Sequence, residues 1–542
     1  MQQRGGYTVN PSNRAMRRRL AAAALLLAAS RAGAFNFETE SGLSIDLDTT
    51  LTYGVQWRVE DADDNLLRRP DPSWDFAQQL SFLSDPDTVI AQNMDDGNNN
   101  FDTGLVSNRA TALVDFEIEK DNYGAFVRAK AFYDHVYASR RTAMDEAGYL
   151  TMNNAPATRR GDFPDETEDE HGAHAEFLDA YAYASFDVGE RVLDLRLGSQ
   201  MINWGEATFF PGINGMQNRF DASVANVPGT EVKEIFLPTG AVYAQLDLTS
   251  SLALQTYYQY EWRHTILNGV GSYFSQQDYL GPGAETFYVG ARGLFGLDPR
   301  IPRLADDEPG DQGQYGVALR YSLESGTELA FYYVNAHNKA PSFERQDIAI
   351  AGQALPVSYR IRYFDDIRTT GASFSTLVGD TQVNGEVSYR ANTPFANAAG
   401  DPEREELLQA QVGFTQVVRP NALWDDLTLV GEFVGVDVMG RSGDDLAFDA
   451  RAFSYAVRAD FAYKNVLQAL DTNVVLFVMH TLDGTIREAQ MVDDAVVTGV
   501  TLRGTWLDKI IAELSYANYS GGGFDNWIID RDNVAFNIKY SF

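Results

Sequence analysis

Apolar and polar residues alternate along most of this chain. In the last nine residues, Val534, Phe536, Ile538, Tyr540 and Phe542 alternate with Ala535, Asn537, Lys539 and Ser541. A period of two places the two sets on opposite faces of a strand. The same pattern runs from Leu43, Ile45, Leu47, Leu51, Tyr53, Val55, Trp57 and Val59, set against Ser44, Asp46, Thr52, Gln56 and Arg58. Ala110, Ala112, Val114, Phe116 and Ile118 repeat it, and the turn Glu119 to Asn122 leads into Tyr123, Ala125, Val127, Ala129 and Ala131. Further hairpins are predicted near 175–203, 240–262, 315–336, 368–390, 406–437, 452–480 and 496–519. The weakest alternation lies near 368–377 and 470–480. With the first and last strands the count is roughly eighteen (16–18), even as in bacterial barrels.

Connection lengths carry the architecture. Tight turns such as Val188 to Arg191, Thr249 to Ser251, Glu324 to Gly326, Val378 to Asp380 and Leu507 to Lys509 alternate with long segments. The long ones fall near 60–107, 138–174, 204–239, 263–314, 337–367, 391–405, 438–451, 481–495 and 520–532. A soluble β-sandwich has no reason for such alternation, whereas a membrane barrel has short periplasmic turns and long extracellular loops. The pattern therefore predicts an all-β, transmembrane antiparallel β-barrel, apolar towards lipid and polar towards a watery lumen. Its last strand resembles the terminal strand by which outer-membrane barrels are recognised for insertion, with Tyr540 and Phe542 as the signal. The partners expected are outer-membrane lipid and lipopolysaccharide, the barrel-assembly machinery and a small-molecule solute, with a periplasmic partner left open.

The amino terminus follows a different pattern. Arg17, Arg18 and Arg19 precede the apolar run Leu20 to Ala29, and Ala32-Gly33-Ala34 offers small residues for cleavage before Phe35. This reads as a secretory signal peptide over 1–34 ahead of a barrel domain over 35–542, with Met16 as an alternative start. The first 34 residues hold six Arg and no acid, so removing six positive charges from −33 leaves −39. So acidic a chain argues against nucleic acid and other anionic partners. There is no Cys, which removes disulfides and thiolate chemistry. A mean hydropathy of −0.28, with no apolar run of about 18 residues after the signal, excludes spanning helices.

Three stretches carry a family resemblance: DDGNNNFDTGLVSNR (Asp95 to Arg109), RLGSQMINWGEATFFPGINGMQNRFD (Arg196 to Asp221) followed by PGTEVKE (Pro228 to Glu234), and GFDNWIIDRDNVAFNIKYSF (Gly523 to Phe542). In this order, over nearly the whole mature chain, they resemble the proteobacterial outer-membrane family catalogued as domain of unknown function 1302. The resemblance implies a β-barrel porin or transport protein, often encoded near systems handling hydrophobic compounds such as sterols or alkanes. It implies no catalytic residues. Asn98 to Asn100 stand where more basic residues are expected of the family, so loop charge does not follow from it.

The central stretch is the best candidate site. Asp194, Arg196, Gly198 and Gln200 share the lumen parity, and the strand runs into Trp204, Gly205 and Glu206. The loop beyond holds Phe209, Phe210, Pro211, Gly212, Asn214, Asp221, Glu231, Lys233 and Glu234. Pro, Gly and paired aromatic residues suit a loop folded into the barrel mouth as a constriction; a surface loop bracing the rim is the plainer alternative. Phe177, Tyr181, Tyr183, Tyr257 and Tyr332 share interior parity and offer a path for apolar solutes, though such residues also fill space or form interfacial girdles. The interior charges Arg128, Lys130, Asp179, Arg196, Arg320, Glu386, Arg390, Arg458 and Asp460 are mixed in sign, which suits pairing between strands better than a selectivity ladder.

Asp95, Asp96, Asn98, Asn99, Asn100 and Asp102 offer oxygens suited to calcium without the EF-hand spacing, so a solvated turn is preferred and no metal is assigned. His171 and His174, after an acidic run, read as part of a charged loop. No nucleophile sits beside a base in a recognisable motif, so neither an enzyme nor a cofactor is expected. The expectation is an outer-membrane channel passing small hydrophobic or amphipathic solutes by passive diffusion. The alternative is a structural or docking barrel with a plugged lumen that binds a partner protein.

Overall fold

Each alternating segment finds a partner on either side, so no strand edge is left open. The computed structural model describes residues 35–68, 73–139, 154–158, 161–291, 298–350 and 352–542. The signal segment expected over 1–34, with cleavage expected after Ala34, lies outside them. Eighteen antiparallel strands form the wall. They are β1 Leu43–Arg58, β2 Gly104–Lys120, β3 Tyr123–Asp134, β4 Ala173–Val188, β5 Arg191–Gln200 and β6 Thr239–Thr249. There follow β7 Leu252–Gln259, β8 Gln314–Ser322, β9 Glu328–Ala336, β10 Ile367–Val378, β11 Thr381–Ala396 and β12 Pro402–Val418. The set ends with β13 Asp426–Val438, β14 Arg451–Leu467, β15 Leu470–Asp483, β16 Val496–Trp506, β17 Ile510–Ser520 and β18 Asn533–Ser541.

Every strand pairs with its chain neighbours, and β18 closes on β1 through Trp57↔Val534, Tyr53↔Ile538 and Leu51↔Tyr540. Closure satisfies all the backbone groups that an open edge would leave bare. A short strand, Phe35–Glu38, lies beside the start of β1. Tyr53, Leu197, Phe331, Val412, Leu514 and Phe536 are exposed on the outer face. Among the described residues no helix is long and apolar enough to cross a membrane.

The strands with the weakest alternation, β10 and β15, are regular members of the wall. Two expectations about connections need correction. The long segment near 391–405 shrinks to 397–401, because β11 and β12 stay paired as far as Ala396↔Pro402. The segment near 337–367 contains its own hairpin, Ser342–Ile350 with Gln353–Arg362. Short helices also organise the first long segment, at Asp64–Leu67, Phe76–Leu83, Pro86–Ala91 and Asp96–Asn100.

One strand changes face part-way. Val127 pairs with Ala180 but Ala129 pairs with Phe177, so two residues of β4 oppose Arg128. This bulge shifts register by one and flips parity. Phe177, expected in the lumen, therefore points outward and is 75% exposed. Tyr181 and Tyr183, beyond the bulge, keep the inward face.

At the long-loop end the connections build their own core from Phe101, Tyr137, Phe163, Tyr273 and Phe274, packed on Tyr519 of β17. Buried charges knit this cap. Arg58 donates to the Phe101 carbonyl at 2.7 Å and pairs with Asp530 at 3.0 Å. Arg531 donates to the Tyr273 carbonyl at 2.7 Å and also holds Asn98 and Asp530. The first and last sequence motifs thus meet in space.

Candidate functional site: an inward loop held by the far wall

The chain leaving β5 does not rise to the rim; it turns inward and crosses the barrel. Trp204 is buried between Tyr257 and Tyr332, with ring centroids 4.9 and 6.0 Å away. Ile202 and Ile213 join the same cluster. Beyond Trp204 the segment is short of regular hydrogen bonds, and the far wall supplies them.

Two carboxylates do most of this. Glu432 on β13 accepts from three successive backbone amides, those of Thr208 at 3.0 Å, Phe209 at 2.6 Å and Phe210 at 3.0 Å. Glu386 on β11 accepts from Glu206 and Ile213, each at 2.8 Å. The loop carbonyls are met in turn. Asn384 donates to Glu206, Arg390 to Gly212, Gln409 to Pro211 and Gln411 to Phe210, at 2.6, 2.8, 3.1 and 3.1 Å. A Cβ at position 212 would collide with the Glu386 carboxylate, so this approach requires Gly212. Lys339, from the long connection between β9 and β10, donates to the Met216 carbonyl at 3.1 Å, and burial lowers its ammonium to about 8.

The returning half lies on a second stretch of wall. Gln56 of β1 donates to the Asn226 carbonyl at 3.3 Å, and a Cβ on Gly54 would sit 2.8 Å from the Pro228 oxygen. Lys233 pairs with Glu231 at 3.1 Å and with Asp115 at 3.7 Å, and Lys539 of β18 reaches Glu231 at 3.4 Å. Asp221 and Glu234 are local caps. Asp221 accepts from the Ser223 amide at 2.9 Å, and Glu234 accepts from the Glu231 amide at 3.0 Å. The ends of the excursion pair through Arg219–Phe220 and Phe236–Leu237.

Of the other candidates, Asp194 bonds Ser185, and Gln200 donates to the Ala241 carbonyl at 2.9 Å. Arg196 lies over Tyr243 at 4.4 Å and Tyr181 at 5.8 Å, a cation–π arrangement. Tyr183 donates to Glu117 at 2.7 Å. Asn214 accepts from the Gly212 amide at 3.0 Å, and Phe210 packs with Phe395, Leu407 and Val434. Glu206 also reaches Arg320 at 3.8 Å. Tyr257 and Tyr332 are 2% and 3% exposed, so they pack beneath Trp204 and do not line a path. At the carboxyl end Tyr540 faces outward. Phe542 stacks on it at 5.0 Å and donates its amide to Thr49 at 3.0 Å.

Some interior charges pair between strands, Arg128 with Asp115 at 2.7 Å and Asp179 at 3.2 Å and Lys130 with Glu176 at 3.5 Å, whereas Arg458 and Asp460 pair along one strand. Glu386 and Arg390 hold the loop. Glu432, Gln409 and Gln411 escaped the sequence reading, although their inward parity and polar character on adjacent strands were signals. Asp95, Asp96 and Asp278 cluster at the cap, where the Asp96 amide donates to Asp278 at 2.9 Å and Arg531 lies close by. His171 accepts the Gly269 amide at 3.1 Å, and burial pushes its imidazole down to about 3. His174 stacks on Phe132 at 6.2 Å. The two do not form a shared metal site among the described residues.

The loop does not fill the barrel. Between it and the wall of β14–β18 lies a cavity of about 430 Å³. Phe209 and Pro228 border it on the loop side, and Phe477, Arg458 and Arg503 on the wall side.

A family model described as "Protein of unknown function (DUF1302)" matches residues 15–542. No curated protein matches the chain. Solved barrels are similar over most of their length but with little identity. OccAB4 of Acinetobacter baumannii shares 10% identity, with 94% of this chain and 98% of that one covered at a TM-score of 0.44. OpdK from Pseudomonas aeruginosa shares 11%, covering 92% and 98% at 0.42. OmpF of Salmonella typhi, solved in complex with daunomycin, shares 10%, covering 94% and 100% at 0.38. With TM-scores this low, none of them bears on what this chain binds or passes.

Proposed function

The chain belongs to the DUF1302 family, and on that footing we propose that it is an outer-membrane channel passing small hydrophobic or amphipathic solutes by passive diffusion. The observation that carries this reading is the loop clamped across the lumen by Glu386 and Glu432, beside a cavity of about 430 Å³. An eighteen-strand wall encloses more volume than its own side chains fill. A loop tied to the far wall narrows such a lumen and leaves an off-centre passage. In this reading the signal segment is removed after Ala34, the long loops face outward from the cell, and the short turns face the periplasm. Outer-membrane lipid and lipopolysaccharide surround the wall, and the assembly machinery reads the strand ending at Phe542. The protein acts without catalysis or a cofactor.

The same clamp also favours the second reading, a plugged docking barrel, since it packs the middle of the lumen on two walls. Liposome swelling with a panel of graded solutes separates the two. A channel gives swelling that falls with solute size. A plugged barrel gives none with any solute, and that result would reject the channel.

A further inference from the structure

The cavity beside the loop is chemically mixed. Phe209 of the loop faces Phe477 of β15, ring centroids 5.7 Å apart, with Val475 one inward position further along. On the two wall strands that flank Phe477 stand Arg458 of β14 and Arg503 of β16. Arg458 pairs across the sheet with Phe477, so guanidinium and aromatic pair stand at one level. Arg503 pairs with Asn473, four residues nearer the short-turn end. At about 3.4 Å per residue the two arginines stand roughly 14 Å apart along the strand direction.

Each arginine has a carboxylate neighbour, but the two signs are presented differently. Arg458 meets Asp460 through one nitrogen at 3.2 Å, and Asp460 also accepts from Asn473 at 2.6 Å. The arginine side chain is 41% exposed, the aspartate 22%. Arg503 meets Glu513 through Nε at 2.6 Å, and Glu513 also accepts from Asn537 at 2.9 Å. Here the exposures are 34% and 14%. A guanidinium has five donors and a carboxylate only acceptors. Both carboxylates are therefore held by two partners and are less exposed than their arginines; Glu513 lines the cavity beside Arg458 and Arg503, and Asp460 does not. The overall acidity of the chain, −33, is not repeated on this surface.

We propose that this side passage selects amphipathic monoanions, an apolar body sliding along the touching Phe209–Phe477 pair while a carboxylate passes from Arg458 to Arg503. A cavity of about 430 Å³ lies within the range of small-molecule sites, ~300–1,000 Å³. The proposal rests on the channel reading above and adds the charge and shape of the solute.

Isosteric probes test it with the intact protein in liposomes. Benzoate, benzamide and benzylammonium share one ring and differ in charge, and acetate has the charge without the ring. Against protein-free vesicles, benzoate should enter severalfold faster than either other ring compound and faster than acetate. The double variant Arg458→Gln/Arg503→Gln should erase the preference for benzoate over benzamide, and Phe209→Ala should remove its advantage over acetate. If the wild type passes benzylammonium as fast as benzoate, the selectivity is overturned while the channel stands. If no probe enters above background, the channel itself falls. The wild-type series decides the matter even if a variant fails to fold.

Discussion

Glu432 holds three consecutive amides with one side chain, which no strand partner could do. Hydrogen bonds to a charged group are worth about 1.5–3 kcal/mol each, and an amide left buried without a partner costs about 1–3 kcal/mol. Glu432→Ala should therefore loosen residues 206–212 while strand pairing persists. Limited proteolysis within the loop, with heat-modifiability of the barrel unchanged, is the expected result. The outer wall follows a different rule. Val500 is exposed on the outer face, so Val500→Arg should reduce folding by about 2–4 kcal/mol near the bilayer centre. Its neighbour Thr501 borders the cavity, and Thr501→Arg should be tolerated. Ala456 shares the inward face by alternation but has no room for a larger side chain: it is 0% exposed and packed in the cluster that holds Phe210. An inward face is watery only where the loop leaves room. Equal folding yields for Val500→Arg and Thr501→Arg in detergent-to-lipid titrations would show the assigned faces to be wrong.

At the scale of elements, wall and loop are separable. The wall is held by strand pairing; the loop rests on it through side chains. Replacing residues 207–217 by a short Gly/Ser segment should widen the lumen, raise single-channel conductance and weaken discrimination between apolar and polar solutes. Glu386 and Glu432 would then meet water, which satisfies them, so the barrel should still resist detergent unfolding. Loss of the folded barrel would mark the loop as a brace. The closing strand is the opposite case. Phe542 ends β18 with its ring on Tyr540 and its backbone paired to Thr49. Deleting it should lower the amount of heat-modifiable barrel in the outer membrane, measured against wild type at equal expression.

Over the whole molecule, the cap of long connections is the part most exposed to conditions. His171 is neutral in the fold, accepting the Gly269 amide, and its value of about 3 lies well below its ordinary 6.5. Between those two values the unfolded chain binds more protons at His171 than the fold does, so this group's contribution to stability falls as pH falls. The contribution is complete above about 6.5 and gone by about 3. The protection factors of residues 165–171 and 268–275, taken against the intrinsic exchange rate at each pH, should thus fall on acidification through this window. His171→Gln can still accept the amide but cannot be protonated, and it should flatten the response. A response unchanged by that substitution would assign the effect to another group.

Period-two alternation sufficed for the barrel, its strand number, and the outward set Val534, Phe536, Ile538 and Tyr540. A strand buried against lipid on one face must write its pattern residue by residue. The central loop was also legible as a candidate, because Phe209, Phe210, Pro211 and Gly212 are costly to solvate freely. Its anchors were not. Glu386, Gln411 and Glu432 are distant in sequence and look like any inward polar residue; their role exists only once the loop arrives. The flip of Phe177 was equally hidden, since a bulge is a mismatch between two strands and belongs to neither alone. Chain-local physics decided the wall. The way a segment threads back through the barrel it helps to close was left to tertiary structure.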